Sequence, residues 1–529
     1  MSQEVRVTAE QTVGAALEHQ ARRFPDKDAL VFGGKRATFG EWNDRANRLV
    51  MQFERMGLGK GDCVGVMLPS VVELPYVMLG LAKMGAIGVL VNPLLPPAEV
   101  EFQLRDTDAK ALVLASPFAN RDLVAMIEGL RTRLPKLGQV IVMGPKQEGY
   151  SSLQEILEAE TPAPQETFVR AGVTYDDPFA LLFSGGTTGT SKAVPVTSYN
   201  FLYVDAQDIN HYAAEHVMLQ IPPLFLTFGF RAVALPLLYG MRLVGLMQFD
   251  PRSILQAIQD EKVTDTDTYP TMVRWAMSLP TFDQYDVSSM RRVGLGGEPI
   301  TMELVNAIWQ RFRCRTTVGY GMSEMRGITS TRLDDPPELS ATTDGRAIGD
   351  LEVKVVDEQG RDVPFGDVGE IMVRGRAVFT GYWNRPDLNA VVFDRDGFFH
   401  TGDMARFVTK EGYIRFVGRK KDTIRRSLMN VYPEEIENHL KTNPMIAAVG
   451  VIGVPSPITG ERIRAYVQLR PNMEMTATEV VEYCRGTLAA YKIPDEVRFV
   501  SSLPFSATQR VRRWMLREEA MKEPDQGAG

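Results

Sequence analysis

The segment with the clearest capacity for chemistry is a loop rich in glycine and hydroxyl side chains. It comprises Ser184, Gly185, Gly186, Thr187, Thr188, Gly189, Thr190, Ser191 and Lys192, and it follows an apolar run that reads as a strand. Glycines let backbone N–H groups approach phosphate oxygens, the hydroxyls add donors, and the lysine adds positive charge. It is not a Walker loop, because Lys192 is neither preceded by glycine nor followed by Ser or Thr. The composition predicts a phosphate-binding loop, with a flexible turn as the alternative.

Four further segments with polar or glycine-rich character follow this loop. They are Gly296-Gly297-Glu298-Pro299, Tyr320-Gly321-Met322-Ser323-Glu324, His400-Thr401-Gly402-Asp403 and Gly418-Arg419-Lys420-Lys421-Asp422. In this order, the five segments resemble the motifs of the adenylate-forming superfamily, which includes acyl-CoA synthetases, firefly-type luciferases and the adenylation domains of peptide synthetases. The likeness extends over nearly the whole chain.

The resemblance implies that the chain uses ATP and Mg²⁺ to convert an acid into its adenylate, with release of pyrophosphate. The implied catalytic residues are Lys192, Glu324 and Arg510, and Glu324 is also the implied metal ligand. A carboxylate suits Mg²⁺, which prefers oxygen ligands and neutralises the triphosphate. In-line attack on the α-phosphorus needs positioning and charge neutralisation more than a protein nucleophile.

The resemblance also assigns the residues that hold the nucleotide. Tyr320 is suited to stacking on adenine, and Ser323 replaces the family's usual threonine while keeping a hydroxyl for the α-phosphate. Asp403 is an acceptor suited to two ribose hydroxyls, and Arg419 donates to ribose or phosphate oxygens. The full implied set is Ser184, Gly185, Gly186, Thr187, Thr188, Gly189, Gly297, Glu298, Pro299, Tyr320, Gly321, Met322, Ser323, Asp403 and Arg419.

The implied acid pocket contains two arginines. Its residues are Leu226, Phe228, Arg231, Gly296 and Arg326, and Leu226 occupies a gate position that is often His or aromatic in the family. An arginine in the pocket wall is able to hold a second anion or a polar substrate group. A structural salt bridge is the alternative, and the sequence leaves both open.

Two departures from the family pattern fall near the C-terminus. The family's Thr-x-x-Gly-Lys segment, whose Lys stabilises the adenylation transition state, reads Ser506-Ala507-Thr508-Gln509-Arg510 here. Arg510 keeps the charge but differs from lysine in length, planarity and hydration. Leu428 stands where a glycine normally lines the path of the pantetheine arm. A branched side chain there predicts a block of that path, unless the turn is shifted.

Three functions fit these observations. The first is an adenylating enzyme whose acceptor is not CoA, and its most specific form resembles ATP-dependent diazotases, which join nitrite to an aromatic amine. The second is an aryl- or alkyl-carboxylate CoA ligase, which Leu428 and Arg510 disfavour. The third is an ATP or AMP sensor, which the presence of Lys192 and Glu324 disfavours. We favour the first.

The elements that position these residues indicate two domains. Residues 38–56 have helical spacing after a Thr cap, and strand-like and helical runs then alternate, as is typical of parallel sheets covered by helices. Shorter strands follow residue 366, and a small α+β pattern follows residue 420. We predict an α/β fold with a large domain over 1–420, consisting of parallel-rich sheets flanked by helices and a distorted β-barrel. The small α+β domain is expected over 421–529, and the family resemblance implies that it is mobile and rotates about a hinge near Lys421.

Composition excludes several other classes of protein. The chain has 529 residues, 44% hydrophobic residues and a net charge of −7, which argues against nucleic acid as the main partner. The three cysteines and five histidines form no metal-ligand pattern. No stretch reads as a signal peptide or membrane span, so we expect a cytoplasmic protein. The expected partners are small molecules, a carboxylate or nitrite plus an aryl amine, and the expected state is a monomer or homodimer.

Overall fold

The computed structural model describes residues 8–159, 168–184, 191–207, 209–247, 249–427, 429–456, 459–485, 487–505 and 511–522. These residues belong to two compact units, each described by itself. The first unit takes its described residues from 1–184, 192–352 and 374–391, and the second takes its own from 185–191, 353–373 and 392–529.

The strands are bounded as follows: β1 (Asp28–Phe32), β2 (Lys35–Thr38), β3 (Cys63–Met67), β4 (Ile87–Leu90), β5 (Ala111–Ala115), β6 (Gln139–Met143), β7 (Ser151–Ser152), β8 (Pro178–Ser184), β9 (Lys192–Thr197), β10 (Val217–Gln220), β11 (Arg242–Gly245), β12 (Asp265–Thr268), β13 (Arg292–Gly296), β14 (Arg315–Met322), β15 (Met325–Ser330), β16 (Arg346–Ala347), β17 (Glu352–Val356), β18 (Gly369–Arg374), β19 (Phe399–Phe407), β20 (Ile414–Arg419), β21 (Ile424–Arg426), β22 (Met429–Val431), β23 (Ile446–Ser456), β24 (Gly460–Leu469) and β25 (Glu496–Phe499).

The α-helices are bounded as follows: α1 (Val13–Arg23), α2 (Phe39–Arg55), α3 (Glu73–Met84), α4 (Pro97–Asp106), α5 (Leu123–Leu130), α6 (Leu153–Leu157), α7 (Ser198–Ala206), α8 (Thr227–Phe230), α9 (Ala234–Tyr239), α10 (Pro251–Glu261), α11 (Pro270–Met277), α12 (Met302–Phe312), α13 (Pro337–Thr342), α14 (Pro386–Val392), α15 (Pro433–Leu440), α16 (Ala477–Arg485) and α17 (Arg513–Lys522).

Two large sheets form the first unit. A seven-stranded sheet has the order β7-β6-β5-β3-β4-β8-β9, and a nine-stranded sheet has the order β16-β15-β14-β13-β12-β10-β11-β1-β2. The inner strands of both sheets run parallel. The seven-stranded sheet has the antiparallel hairpin β8–β9 at one edge and the parallel pair β6–β7 at the other, whereas the nine-stranded sheet has antiparallel pairs, including β14–β15, at both edges. Apolar side chains of one face of the nine-stranded sheet, including Leu219, Val293 and Leu295, form a core with residues of α10, α11 and α12. The opposite face carries the polar residues of the candidate site.

The second unit contains two smaller sheets. Strands β17-β18-β19-β20 form a four-stranded sheet, and β22-β21-β24-β23 form another, with β25 added to β24. Helices α15 and α16 contribute Ile436, Leu440 and Val480 to a core on the second of these sheets.

The predicted fold class is confirmed, because the chain is a mixed α/β protein with large parallel-rich sheets and a smaller C-terminal part. The predicted helix over 38–56 is α2, which begins with a capping box between Thr38 and Glu41. Helix α3 ends at Gly85, which has φ +78°, a conformation that glycine adopts without strain. The domain boundary near Lys420 and the hinge at Lys421 stay predictions. Among the described residues, no helix is both long enough and apolar enough to cross a membrane.

Candidate functional site

The predicted phosphate loop connects the two strands of the hairpin β8–β9. Ser184 pairs with Lys192 at the open end of the hairpin, and the Ser184 hydroxyl donates to the Lys192 carbonyl at 3.4 Å. The hairpin thus fixes both ends of the connection. The loop residues Gly185, Gly186, Thr187, Thr188 and Gly189 lie outside the described residues, so their predicted role stays a prediction.

A second hairpin, β14–β15, presents Ser323 and Glu324 at its tip. Met322 pairs with Met325, which leaves these two residues as the connection. Gly321 allows the close approach of the two strands, because a Cβ at this position would lie 2.5 Å from the carbonyl oxygen of Arg326. The Ser323 hydroxyl lies 3.1 Å from the Thr227 hydroxyl at the start of α8. The hairpin therefore holds the two predicted phosphate and metal contacts side by side.

Tyr382 joins the two hairpins, and the sequence analysis missed it. Its hydroxyl donates to Oε1 of the buried Glu324 at 2.6 Å. The Nζ of Lys192 lies 4.6 Å from the centre of its ring. The backbone N–H of Tyr382 donates to Asn389 Oδ1 at 2.7 Å, and Asn389 Nδ2 donates to the Tyr382 carbonyl at 3.0 Å. Tyr382 is thus a fixed bridge between the predicted catalytic lysine and the predicted metal ligand.

The chemistry of Glu324 fits the implied Mg²⁺. Among the described residues, no group of three or more His, Cys, Asp or Glu side chains is arranged to hold a metal ion. Mg²⁺ in nucleotide sites is commonly held by one or two carboxylates together with substrate phosphates, so a single carboxylate beside a phosphate loop suffices. Glu324 would hold it, and the ion would supply charge neutralisation to the triphosphate.

The carboxyl ends of β12, β13 and β14 form an aromatic wall beside glycine. Gly296 pairs with Gly319, and a Cβ on Gly296 would lie 3.1 Å from the Gly319 carbonyl and 4.0 Å from Cζ of Phe228. The rings of Phe228 and Tyr269 meet edge to face, with centroids 5.1 Å apart. Ligands of open parallel sheets bind at such carboxyl ends, so this is the pocket expected for the acid. Tyr269 is a second residue that the sequence analysis missed.

The motif Gly296-Gly297-Glu298-Pro299, predicted to bind the nucleotide, begins at the last residue of β13. Gly297 has φ +77°, and a Cβ there would lie 3.0 Å from the Tyr269 ring. Glu298 accepts from the backbone N–H and the hydroxyl of Thr271, at 3.0 and 2.7 Å, at the first turn of α11. Glu298 therefore anchors this helix end to the segment, while Gly297 and Pro299 stay exposed.

Arg231 belongs to a cluster of buried charges. Its Nε and Nη2 donate to the two oxygens of Asp205 at 3.2 and 2.6 Å. Its Nη1 lies 3.9 Å from Asp267 Oδ2, and Asp267 Oδ1 accepts from Arg292 Nη2 at 2.8 Å. Burial acts to raise the pKa of Asp267, but Arg292 and Arg231 outweigh it and hold that pKa below its usual value. The structural salt bridge that the sequence left open is therefore present, and one edge of Arg231 faces Asp267.

Arg326 packs against α7. Its guanidinium carbon lies 4.0 Å from the centre of the Phe201 ring, Nη1 donates to the Phe201 carbonyl, and Nη2 is 3.6 Å from Asp205. Burial lowers the pKa of Arg326, Asp205 opposes this effect and Arg231 adds to it. Its side chain is only 3% exposed, which favours a structural role over the predicted contact with substrate. Leu226 is half-buried and precedes the first residue of α8, and its N–H donates to the Pro223 carbonyl.

In the second unit, the predicted ribose contacts lie on paired strands. Asp403 of β19 is opposite Arg419 of β20, with 3.5 Å between Asp403 Oδ1 and Arg419 Nε. The Asp403 N–H donates to the Thr401 hydroxyl at 3.0 Å, and that hydroxyl donates to the Ile371 carbonyl at 2.8 Å. The buried carboxylate is thus held in a fixed direction.

Glu370 organises the same region and has no role in the sequence analysis. Its Oε1 accepts from the Gly402 N–H at 3.1 Å, and its Oε2 pairs with Lys420 Nζ at 2.7 Å and lies 3.4 Å from His400 Nδ1. Glu370 therefore links the Thr-Gly-Asp turn to the residue before the predicted hinge, Lys421, which lies in a short 3-10 turn.

The two departures from the family pattern lie outside the described residues, because neither Leu428 nor Arg510 is among them. The residues around Leu428 are described. Arg426 of β21 pairs with Met429 of β22, and Ser427 has φ +55°, a conformation that is uncommon for residues other than glycine. Ser427 is therefore a non-glycine residue at a backbone position that suits glycine.

Comparisons with known proteins give consistent matches. The model of the AMP-binding enzyme family matches residues 17–383, and that of the AMP-binding enzyme C-terminal domain matches residues 435–510. The 2,3-dihydroxybenzoate-AMP ligase of Bacillus subtilis is 30% identical over 96% of this chain and 94% of its own. An anthranilate CoA ligase in complex with anthranoyl-AMP has a similar structure, with a TM-score of 0.87, 27% identity, and 97% and 98% of the two chains covered. An amide bond synthetase from Marinactinospora thermotolerans gives a TM-score of 0.84 with 25% identity, over 96% and 99%.

Proposed function

Because the chain belongs to the family of AMP-binding enzymes, we propose that it activates a small oxyacid as its adenylate and passes it to an acceptor other than CoA. The chain is an AMP-forming ligase that uses ATP. In the proposed first step, an oxygen of the acid attacks the α-phosphorus and pyrophosphate leaves. Lys192, Glu324 and Tyr382 lie together where the two hairpins meet, which supports a role in positioning the phosphates and Mg²⁺.

The observation that carries the choice of acceptor is the turn between β21 and β22. A Ser with φ +55° is followed by Leu428, where the family resemblance leads one to expect glycine-rich backbone. A side chain at such a position costs backbone strain and fills space that glycine leaves open. The amide bond synthetase among the similar structures supports the same reading, since its name describes formation of an amide bond.

The most specific form of the proposal is a diazotase-like reaction. Nitrite, a bent anion similar to a carboxylate, would attack the α-phosphorus of ATP through oxygen and release pyrophosphate. The nitrogen of an aromatic amine would then bond to the nitrosyl nitrogen, with release of AMP and a proton. Neither step needs a path for a pantetheine arm.

The alternative is an aryl- or alkyl-carboxylate CoA ligase, which the similarity to the anthranilate CoA ligase favours. The two functions are separated by incubating the protein with ATP, Mg²⁺ and panels of acids. Each panel is run with and without CoA, and with nitrite plus aryl amines, and AMP and products are followed by mass spectrometry. A CoA thioester formed at a normal turnover would refute the proposed acceptor. If pyrophosphate is released under none of these conditions, the result would favour the ATP or AMP sensor.

The substitution Leu428→Gly tests the turn directly. We expect it to allow or increase thioester formation from any acid that the protein adenylates. Met429→Gly is the matched control, because Met429 is the next residue of the hairpin and is 44% exposed. If both variants gain thioester formation equally, loosening of the hairpin explains the gain and the steric argument is wrong.

A further inference from the structure

Arg231, a predicted residue of the acid pocket, and Asp267 form a charged pair whose facing atoms are not saturated by hydrogen bonds. In the described part of the chain, Arg231 Nη1 makes no hydrogen bond, whereas its Nε and Nη2 are both engaged by Asp205. Likewise, Asp267 Oδ2 accepts no hydrogen bond, whereas Oδ1 accepts from Arg292. The two atoms lie 3.9 Å apart. One donor and one acceptor are therefore left side by side.

This pair differs from the rest of the charge cluster in its accessibility. The side chains of Arg231 and Asp267 are 19% and 13% exposed. Those of Arg292 and Asp265, which pair with each other at 3.2 Å, are 2% and 0% exposed. A buried charge is normally saturated by hydrogen bonds, so an unsaturated donor and acceptor on two partly exposed side chains point to a ligand group.

The pair lies beyond the aromatic wall, at the end remote from the phosphate residues. Asp267 pairs with Gly294, which precedes Gly296 by two positions and so shares its face of β13. Two residues of a strand span about 6.6 Å, the scale of one substituted benzene ring. The edge-to-face rings of Phe228 and Tyr269 flank the level of Gly296. A flat ring at that level would direct its far substituent at Arg231 and Asp267.

We infer that the site takes an aromatic substrate with a hydroxyl group at its far end, which accepts from Arg231 Nη1 and donates to Asp267 Oδ2. A hydroxyl is the smallest group that is both donor and acceptor. Placed about 2.8 Å from each atom, its oxygen would see the two at an angle of about 90°, since they are 3.9 Å apart. A carboxylate would be repelled by Asp267, and an unsubstituted ring would leave both atoms unsatisfied. The inference rests on the proposed function, because it describes the substrate of that same site.

Matched pairs of compounds test the inference in both forms of the reaction. In the acid arm, benzoate is compared with 3- and 4-hydroxybenzoate. In the amine arm, with nitrite present, aniline is compared with 3- and 4-aminophenol. We expect kcat/KM for pyrophosphate release or product formation to favour the hydroxylated compound by roughly 100-fold or more in one arm, because a site built to hydrogen-bond a hydroxyl discriminates strongly against its absence.

Two variants locate the effect. Asp267→Asn is expected to reduce the preference for the hydroxyl at least tenfold. Asp265→Asn is the matched control, because Asp265 pairs with the same Arg292 but is 0% exposed. It should destabilise the cluster to a similar degree in thermal unfolding and leave the preference unchanged.

The outcomes separate the inference from the proposed function. Equal use of hydroxylated and unsubstituted compounds, or an equal loss of preference in both variants, would overturn the inference while adenylation stands. Absence of pyrophosphate release with every compound would overturn the proposed function. In that case, calorimetric binding of the same compound pairs to the wild type and the two variants decides the inference alone, with equal affinities within each pair counting against it.

Discussion

Removal of one hydroxyl group, in Tyr382→Phe, tests whether the bridge between the two hairpins serves catalysis. The phenol donates to Oε1 of Glu324 at 2.6 Å, a length typical of a hydrogen bond to an ionised carboxylate. The substitution keeps the aromatic ring, over which Lys192 Nζ lies at 4.6 Å. It therefore isolates the orientation of Glu324 from the packing of Lys192.

The expected loss follows from the strength of this bond. A hydrogen bond to a charged group contributes about 1.5–3 kcal/mol, and the buried Glu324 carboxylate would lose the one that Tyr382 donates. If that energy is used in the transition state, kcat/KM for pyrophosphate release should fall by roughly 10- to 150-fold. Groups that orient a metal ligand typically alter metal affinity by about 10–100-fold, so half-saturation by Mg²⁺ should also move to a higher concentration.

The assay is continuous pyrophosphate release with saturating acid, at varied ATP and varied Mg²⁺. Tyr76→Phe is the control, because Tyr76 is a buried tyrosine of the same unit whose hydroxyl accepts from Arg45 at 2.9 Å, away from the site. Activity of Tyr382→Phe within twofold of wild type, with unchanged Mg²⁺ dependence, would show that Glu324 does not depend on this bond. An equal loss in Tyr76→Phe would assign the effect to general destabilisation.

Two further predictions concern backbone and buried charge. Gly321→Ala should lower the rate of pyrophosphate release at least tenfold, because the new Cβ would lie 2.5 Å from the Arg326 carbonyl oxygen and push apart the two strands of the hairpin that holds Glu324. Gly129→Ala is the control and should leave the rate unchanged, because a Cβ there would meet nothing within 4 Å. Equal activity of the two variants would contradict this reasoning. Lys83→Met should lower the free energy of unfolding by about 3 kcal/mol, because it removes the buried cation that pairs with Glu18 at 3.1 Å and leaves that carboxylate with the largely exposed Arg22 at 4.0 Å. Urea unfolding at pH 7 would measure this loss. Burial lowers the pKa of Lys83 from 10.5 to about 8, so the unfolded chain binds more protons than the folded chain between these pH values. The free energy of unfolding of the wild type should therefore rise relative to that of Lys83→Met from pH 8 to pH 10.5. A difference between the two proteins that does not change with pH would contradict the lowered pKa.

Local pattern was enough to predict the elements, because caps and periodicity act over a few residues. The Thr38 cap, the apolar residues of β3 and the glycine that ends α3 are all local features of the sequence. The helix predicted over 38–56 is α2, which the structure bounds at Phe39 and Arg55, one residue inside the prediction at each end. Element ends depend on tertiary contacts that local pattern does not contain.

The supporting residues of the site were not predicted, because each contacts a partner that is distant in the sequence. Tyr382 and Glu324 are separated by 58 residues, and Tyr382 follows a glycine in a segment that carried no chemical signal. Glu370 lies 50 residues before Lys420. Whether Arg231 forms a salt bridge depended on Asp205, 26 residues earlier on a different helix. Residue type predicted which groups carry chemistry, whereas the groups that orient them are selected by the fold.

The two glycines on one face of β13 explain how a charge cluster and a ligand site are able to share that face. At Gly294, a Cβ would lie 1.9 Å from Asp267 Oδ1 and 2.2 Å from Arg292 Nη1, so the space that glycine leaves is filled by the protein's own ion pair. At Gly296, two residues further along, the nearest atoms are the Gly319 carbonyl at 3.1 Å and Phe228 Cζ at 4.0 Å, so that space is bounded by backbone and an aromatic edge. Gly294 thus permits Arg292 to hold Asp267 in its ionised form, and Gly296 leaves room for the aromatic ring of the inferred substrate. A side chain at position 294 would displace the ion pair of Arg292 and Asp267 and so remove the hydrogen-bond acceptor. A side chain at position 296 would fill the space for the ring and exclude the substrate. We therefore expect the substrate specificity of this chain to depend as much on the absence of side chains at Gly294 and Gly296 of β13 as on the charged residues that surround them.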